Sequence, residues 1–260
     1  MKVRHVVGLT ALVLAVALTP ALRAEDFRWQ GRVAAGAAVE IKGVNGGIHA
    51  EPASGTEVEV TAVKRARRSN PDQVEIKVVE HPGGVTICAV YPSREGRPNE
   101  CMPGHAGRMN TRDNDVNVEF EVRVPAGVRF VGRTVNGGIQ ARSLPSDAEA
   151  YTVNGGIEIE SGGVARGETV NGGIHATLGR ADWQGELTLK TVNGGIHLVL
   201  PTSLNTELKA ETVNGEITTD FPLTVQGRFS KRRISGTIGA GGRQLELETV
   251  NGGIELKRKS

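Results

Sequence analysis

Through most of the chain, apolar and polar residues alternate with a period of two. Leu187 and Leu189 alternate with Glu186 and Lys190, and Ile196, Leu198 and Leu200 flank His197. In an extended strand this alternation puts one set of side chains on each face, so it predicts strands with one buried face. Runs at 39–44, 57–63, 74–79, 85–91 and 116–124 predict further strands of the same kind. Between the runs one string returns. Val-Asn-Gly-Gly-Ile starts at Val44, Val135, Val153, Val170, Val192 and Val250, with degenerate copies at Val213 (Val-Asn-Gly-Glu-Ile) and Ile234 (Ile-Ser-Gly-Thr-Ile). From Val135 onward the starts lie 18, 17, 22, 21, 21 and 16 residues apart. A period near twenty is that of a solenoid coil or a β-hairpin unit.

The chemistry of the string suits a corner. Val and Ile are β-branched and fit pleated, half-buried positions. Asn followed by Gly lets the chain bend through positive φ, and a second Gly lets neighbouring backbones approach. The turn residues are therefore expected at Asn45-Gly46, Asn136-Gly137, Asn154-Gly155, Asn171-Gly172, Asn193-Gly194, Asn214-Gly215 and Asn251-Gly252. Two architectures satisfy the pattern. As a hairpin turn, Asn193-Gly194 sets Leu189 against Leu198 and Leu187 against Leu200, but the last copy then opposes Glu248 to Glu255, a like-charge pair. As a corner of a flattened β-helix, each Asn-Gly stacks on its counterpart in the next coil at ~4.8 Å. Near-identity of the copies favours stacking, because a hairpin requires only some suitable turn. The chain thus reads as all-β, a single β-solenoid or β-helix-like repeat domain, with an antiparallel β-meander of hairpins as the alternative. One coil buries too few aliphatic side chains to offset the entropy of ordering it, so the copies must fold together.

Around this array the chain divides into three parts. Residues 1–24 combine a basic start (Lys2, Arg4), an apolar run from Val6 to Leu18, Pro20 and a small Ala24, the pattern of a secretory signal peptide. The apolar run is shorter than the ~20 residues of a membrane-spanning helix, and no second such run follows, so no membrane span is expected in the mature chain. Residues 25–130 form an irregular β-strand part with one long polar loop at 92–115, and residues 131–260 hold the regular repeats. Long loops on rigid repeats often carry binding specificity. Lys257, Arg258 and Lys259 follow the final copy, where charge would protect an exposed last strand from edge-to-edge pairing.

Composition refines the picture. With 35 Gly and only two Trp, two Tyr and five Phe, the chain suits a thin aliphatic core. Loss of Lys2, Arg4 and Arg23 with the leader leaves 28 basic against 29 acidic side chains, which removes the basic surplus a nucleic-acid partner requires. The local basic clusters at 64–68 and 231–233 read as solvated faces or edge protection. Cys88 and Cys101 form an even pair in an exported chain and are expected to be disulfide-bonded, at roughly 3 kcal/mol of loop-closure entropy.

Candidate chemistry is sparse. The sequence shows no nucleophile elbow, phosphate-cradling loop or zinc-protease helix. His49, His175 and His197 each follow the Ile of a copy, so stacking would set His175 beside His197; yet Gln140, Glu158, Thr218 and Glu255 hold the same position elsewhere, which marks it as an outward polar row. No metal, cofactor or catalytic residue is expected. Glu158 with Glu160 and Glu246 with Glu248 put paired carboxylates on one face, which alternation alone explains.

The strings at 134–139, 169–174, 191–196, 212–217 and 249–254 resemble those of the bacterial β-strand-repeat putative adhesin family, whose domain of unknown function repeats a Thr-Val-Asn-Gly-Asp-Ile-like string. The stretch 122–128 resembles the strand and Pro-Gly turn that introduces the repeats of that family. Gly138, Gly156, Gly173, Gly195 and Gly253 stand where the family often has Asp. Export, repetition and the absence of catalytic groups point to an exported, non-catalytic envelope scaffold or adhesin-like binding module, periplasmic or extracellular, with an unknown protein or glycan ligand. The alternatives are a carbohydrate-active β-helix enzyme, which needs two or more carboxylates in one cleft, and an envelope-signalling partner.

Overall fold

The computed structural model describes residues 27–93, 96–225 and 230–259; the expected leader at residues 1–24 lies outside them. Two long, largely parallel sheets face each other across an aliphatic core. Seven coils each give one strand to either sheet: Ala38–Lys42 with Ile48–Pro52, Arg129–Arg133 with Ile139–Leu144, Ala148–Tyr151 with Ile157–Ser161, Ala165–Glu168 with Ile174–Leu178, Glu186–Lys190 with Ile196–Leu200, Arg243–Asn251 with Ile254–Arg258, and Thr206–Asn214 with Ile217–Thr219. The strands on either side of each corner belong to different sheets, so the solenoid holds and the hairpin meander does not. The copy at Val44, remote in sequence from the regular array, stacks directly on the copy at Val135.

An eighth coil caps this end. Gly84–Val90 runs parallel to Ala38–Lys42 and Asn117–Val124 parallel to Ile48–Pro52. The 92–115 loop occupies the place of its corner. Antiparallel strands then close the end, Glu75–His81 on one sheet and Val58–Arg65 with Phe27–Gly31 on the other.

The chain does not lay its coils down in sequence order. Asn193 pairs with Asn251, and Asn251 in turn with Asn214, so the last copy fills a slot left between the two before it. Two expectations fail as a result. The Ile234 string is not a coil: Arg233–Ile238 runs antiparallel to Thr206–Asn214. The basic C-terminus does not guard an edge, because Ile254–Arg258 lies between Ile196–Leu200 and Ile217–Thr219. The outermost strands at that end are Ile217–Thr219 and Thr224–Val225, and their shortness limits edge pairing.

Val and Ile of the motif part company. Ile48, Ile139, Ile157, Ile174, Ile196, Ile254 and Ile217 form one buried row. Val153, Val170, Val192, Val213 and Val250, expected to be half-buried, are instead 38–52% exposed. Beside the Ile row the core trades size between positions: Phe130 fills the space that Gly132 leaves, where an added methyl would lie 3.0 Å from the Phe130 ring.

The close backbone approach expected of the second glycine falls mainly to the first. A methyl on the first Gly would collide with the neighbouring corner: Gly137 with the carbonyl oxygen of Gly46 at 2.0 Å, and Gly155, Gly172, Gly194 and Gly252 with the preceding Gly oxygen at 2.1 Å. Close approach demands glycine there, and at Gly46, with φ of 120°, positive φ demands it as well. The second Gly has room at Gly156 and Gly173, where a methyl would stand 3.7 and 3.5 Å from the nearest atom, and less at Gly138, Gly195 and Gly253, where it would stand 3.1–3.3 Å away. Buried threonines tie the corners together as well. The hydroxyls of Thr152, Thr169 and Thr191 donate to the carbonyls of Gly137, Gly155 and Gly172 at 2.8–3.0 Å.

Cys88 and Cys101 are disulfide-bonded, with Cα atoms 5.7 Å apart, and join the capping coil to the 92–115 loop. Two tests follow from this packing. Gly155→Ala is expected to lower stability by about 2–3 kcal/mol or more through overpacking, whereas Gly156→Ala leaves the urea midpoint nearly unchanged. Replacing both cysteines by Ser is expected to cost about 3 kcal/mol in the same measurement.

Candidate functional site: a groove floored by glycine

Stacking converts each position of the motif into a row along the solenoid axis. The most regular row is an amide ladder. Nδ2 of Asn136 donates to Oδ1 of Asn45 at 2.9 Å, and the bond repeats at 2.8 Å from Asn154 to Asn136, Asn171 to Asn154, Asn193 to Asn171, Asn251 to Asn193 and Asn214 to Asn251. Each amide from Asn136 onward spends one N–H on the ladder, whereas that of Asn45 donates to the Val116 carbonyl at 3.5 Å. The second N–H of each is left for solvent or a ligand. Next to the ladder lie the second glycines, Gly47, Gly138, Gly156 and Gly173, which bring no side chain. Beyond them stands the outward residue that follows each Ile, paired rung by rung as His49, Gln140, Glu158, His175, His197, Glu255 and Thr218.

The result is a groove along the outer face of the Ile-bearing sheet. Over its first four rungs it encloses about 590 Å³, with Asn117 and Glu119 of the capping coil at one end. It continues past His175 and His197 toward Thr218. Polar groups within it are largely committed to partners. Oε2 of Glu119 accepts the Gly47 N–H at 2.9 Å and lies 3.9 Å from Nε2 of His49. Arg142 holds Glu158 through two bonds of 3.0 and 3.3 Å. Nδ1 of His49 meets the Gln140 amide oxygen at 3.1 Å, and Nδ1 of His197 meets Glu255 at 2.8 Å.

The 92–115 loop has a different arrangement. It folds back over the other sheet and is clamped there. Lys42, only 6% exposed, donates to the carbonyls of Met102, Gly104 and Ala106 at 2.7–2.9 Å. Beside it, Glu40 accepts from Arg133 at 2.8 Å, from the Thr86 hydroxyl at 3.0 Å and from the Gly104 N–H at 2.8 Å. Burial pushes the Lys42 ammonium below its ordinary range, while Glu40 acts against that shift. Tyr91 buries its ring and donates to the Val116 carbonyl at 2.8 Å, and burial pushes its hydroxyl up to about 12. At the far end of the loop, Asp115 accepts the backbone N–H groups of Ser69, Arg68 and Arg67 at 2.8, 3.1 and 3.3 Å. Those bonds, that of Ser69 foremost, hold its carboxyl down at about 2.

The structure brings the expected turn residues into one ladder and sets His175 beside His197, while His49 stands apart with Gln140. It also brings in residues that the sequence did not single out. Glu119 and Asn117 enter the groove from the capping coil, a contact no repeat announces. Glu40 and Lys42 alternate with Val39 and Ile41 like any solvent-facing pair, and only the folded-back loop makes them buried. Among the described residues no group of three or more His, Cys, Asp or Glu side chains converges as a metal site. No helix among them is long and apolar enough to cross a membrane.

Residues 137–257 match the family described as Toastrack DUF4097, in agreement with the resemblance carried by the Thr-Val-Asn-Gly-Gly-Ile strings. Among solved structures, the chain is similar to a putative cell adhesion protein from Clostridium sporogenes ATCC 15579, at 14% identity and a TM-score of 0.46, over 90% of this chain and 100% of that one. It is also similar to a putative adhesin from Bacteroides fragilis NCTC 9343, at 10% identity and a TM-score of 0.30, over 90% of this chain and 97% of that one. A search of curated proteins returns no match.

The Asp115 bonds make a pH prediction. Its folded-state pKa lies below the ~3.9 of an unfolded aspartate, so the stabilisation is present above about pH 4 and is lost as pH falls through about 2. The amide resonances of Arg68 and Ser69 are expected to titrate with a midpoint near 2 and to lose that titration in Asp115→Asn.

Proposed function

Proceeding from repeats that match the Toastrack DUF4097 family, we propose that the protein is an exported, non-catalytic, adhesin-like binding module that holds an extended glycan strand along the glycine-floored groove. The observation that carries this reading is the axial repetition of the groove: an amide row, a bare backbone floor and a polar outer row, all recurring at the strand spacing of ~4.8 Å. A chain-like ligand can make the same contact several times on such a surface, which builds avidity from weak individual bonds. The polar lining suits a hydroxyl-rich polymer better than an apolar one. Export rests on the basic, apolar and Pro-terminated pattern of residues 1–24.

A carbohydrate-active enzyme is the second reading, favoured by the presence of Glu119 and Glu158 in one groove. Their partners weigh against it. Glu119 is occupied by the Gly47 N–H, and Glu158 is held by two bonds from Arg142, so both carboxylates are already engaged by the protein itself.

The test is a glycan array and soluble-polysaccharide affinity electrophoresis with residues 25–260, alongside Gly156→Arg. The substitution fills the groove at a position that has room for a side chain, so it is expected to abolish retention without shifting the unfolding midpoint. Equal retention of the variant and the parent would refute the groove as the binding surface. Release of new reducing ends that disappears in Glu119→Gln would favour the enzyme.

A further inference from the structure

We propose that His175 and His197 form a binding site for a divalent late transition-metal ion, with Cu(II) held most tightly. The two residues face each other on adjacent parallel strands, with ring centroids 5.8 Å apart and planes tilted by 36°. An ion at ~2.0–2.1 Å from one nitrogen of each ring stands roughly 3.2 Å from each centroid, which separates the centroids by about 5.2 Å at a tetrahedral angle and by about 4.5 Å at the right angle of a tetragonal Cu(II) site. The resting pair is within a side-chain rotation of both distances.

Two further features prepare the pair. Glu255 meets Nδ1 of His197 at 2.8 Å, the carboxylate-imidazole arrangement that fixes the tautomer and leaves the lone pair on Nε2. The neighbouring floor is bare as well. A methyl built on Gly173 would stand 3.8 Å from Nε2 of His175, so that nitrogen overhangs the glycine row with no side chain competing for the space.

Imidazole nitrogen suits Zn(II), Ni(II) and Cu(II), and the general affinity order places Cu(II) highest. Two protein nitrogens leave the remaining coordination positions to water, so the ion is exchangeable and not structural. His49 cannot do the same, because its rung neighbour is Gln140. The site lies within the groove proposed for the glycan, and titration with Cu(II) alone reads it without any glycan present.

The experiment titrates the full chain with Cu(II) by calorimetry and electron paramagnetic resonance. It compares His175→Gln, His197→Gln, the double variant, Glu255→Gln and His49→Gln as the control. Gln already occupies this outward row at Gln140, so the substitutions are compatible with the fold. One ion per chain with hyperfine coupling to two imidazole nitrogens is expected. Loss of either His should weaken binding at least tenfold, and Glu255→Gln about tenfold, with His49→Gln unchanged. The proposal is overturned if the full chain takes up no ion, if the double variant keeps the parent's affinity and stoichiometry, or if His49→Gln loses as much as His175→Gln. Parent-like binding by Glu255→Gln would remove the orienting role assigned to that carboxylate.

Discussion

The contact between the first glycine of one corner and the carbonyl of the corner beneath it sets the geometry of the whole solenoid. At 2.0–2.1 Å from a would-be Cβ, the gap admits a hydrogen and nothing larger, so each corner rests on its neighbour through backbone alone. Because the backbones are this close, the Asn amides fall within bonding distance and the Thr hydroxyls reach the same glycine carbonyls. The amide bonds all point the same way along the axis. Chains of this kind polarise one another, so each rung strengthens its neighbours. The Ile row beneath is then set in register without needing a specific packing partner of its own.

A stack of this kind is open at both ends, and the molecule treats its two ends differently. At one end a coil of nearly matching register is capped by antiparallel strands, and its corner has been expanded into the 92–115 loop. Tyr91 and the Val116 carbonyl take up the last positions of the corner row. At the other end the chain overshoots by one slot, turns back through Arg233–Ile238 and inserts its final coil into the vacancy. The penultimate coil in space is therefore the last in sequence. That topology couples the terminal coils: removing the final strands would leave the coil of Asn214 without a parallel neighbour in either sheet. Cooperativity here comes from chain order as much as from nearest-neighbour stacking.

How much of this was legible depended on whether a feature repeats. Alternation disclosed the strands, and the recurrence of Asn-Gly disclosed the corner row, because each copy samples the same local geometry. Reading the first glycine only as a conformational device, as it is at Gly46, missed the contact that recurs at every corner, since a contact with the adjacent coil has no signature within a single copy. Val and Ile looked equivalent because both are β-branched; only the position of the corner puts Val153 outside and Ile157 inside. The spacings of 21, 21 and 16 residues at the end of the array concealed an interchange of coils, because spacing records chain length and not stacking order. Features present once could not be read at all. The clamp of Glu40 and Lys42 on the loop is assembled from residues about 60 positions apart, and their alternation mimics an ordinary solvent face.

The second glycine raises a different question. At Gly156 and Gly173 the structure leaves space for a side chain, yet six of the seven stacked corners carry glycine at this position and only Glu216 departs. At these two positions neither a steric need nor backbone strain accounts for this, since a methyl would find room and φ is not in the left-handed region. A bare residue in mid-sheet is costly by itself, because glycine loses more conformational freedom on folding than any other residue. What it leaves behind is a smooth strip of backbone between a row of half-used amides and a row of polar side chains. An acidic side chain at the same place, as in the family the strings resemble, would put a line of like charges along that strip and close it to an anionic or bulky ligand. The repeated loss of the side chain thus has its clearest physical consequence at the surface, in keeping the groove continuous from one coil to the next.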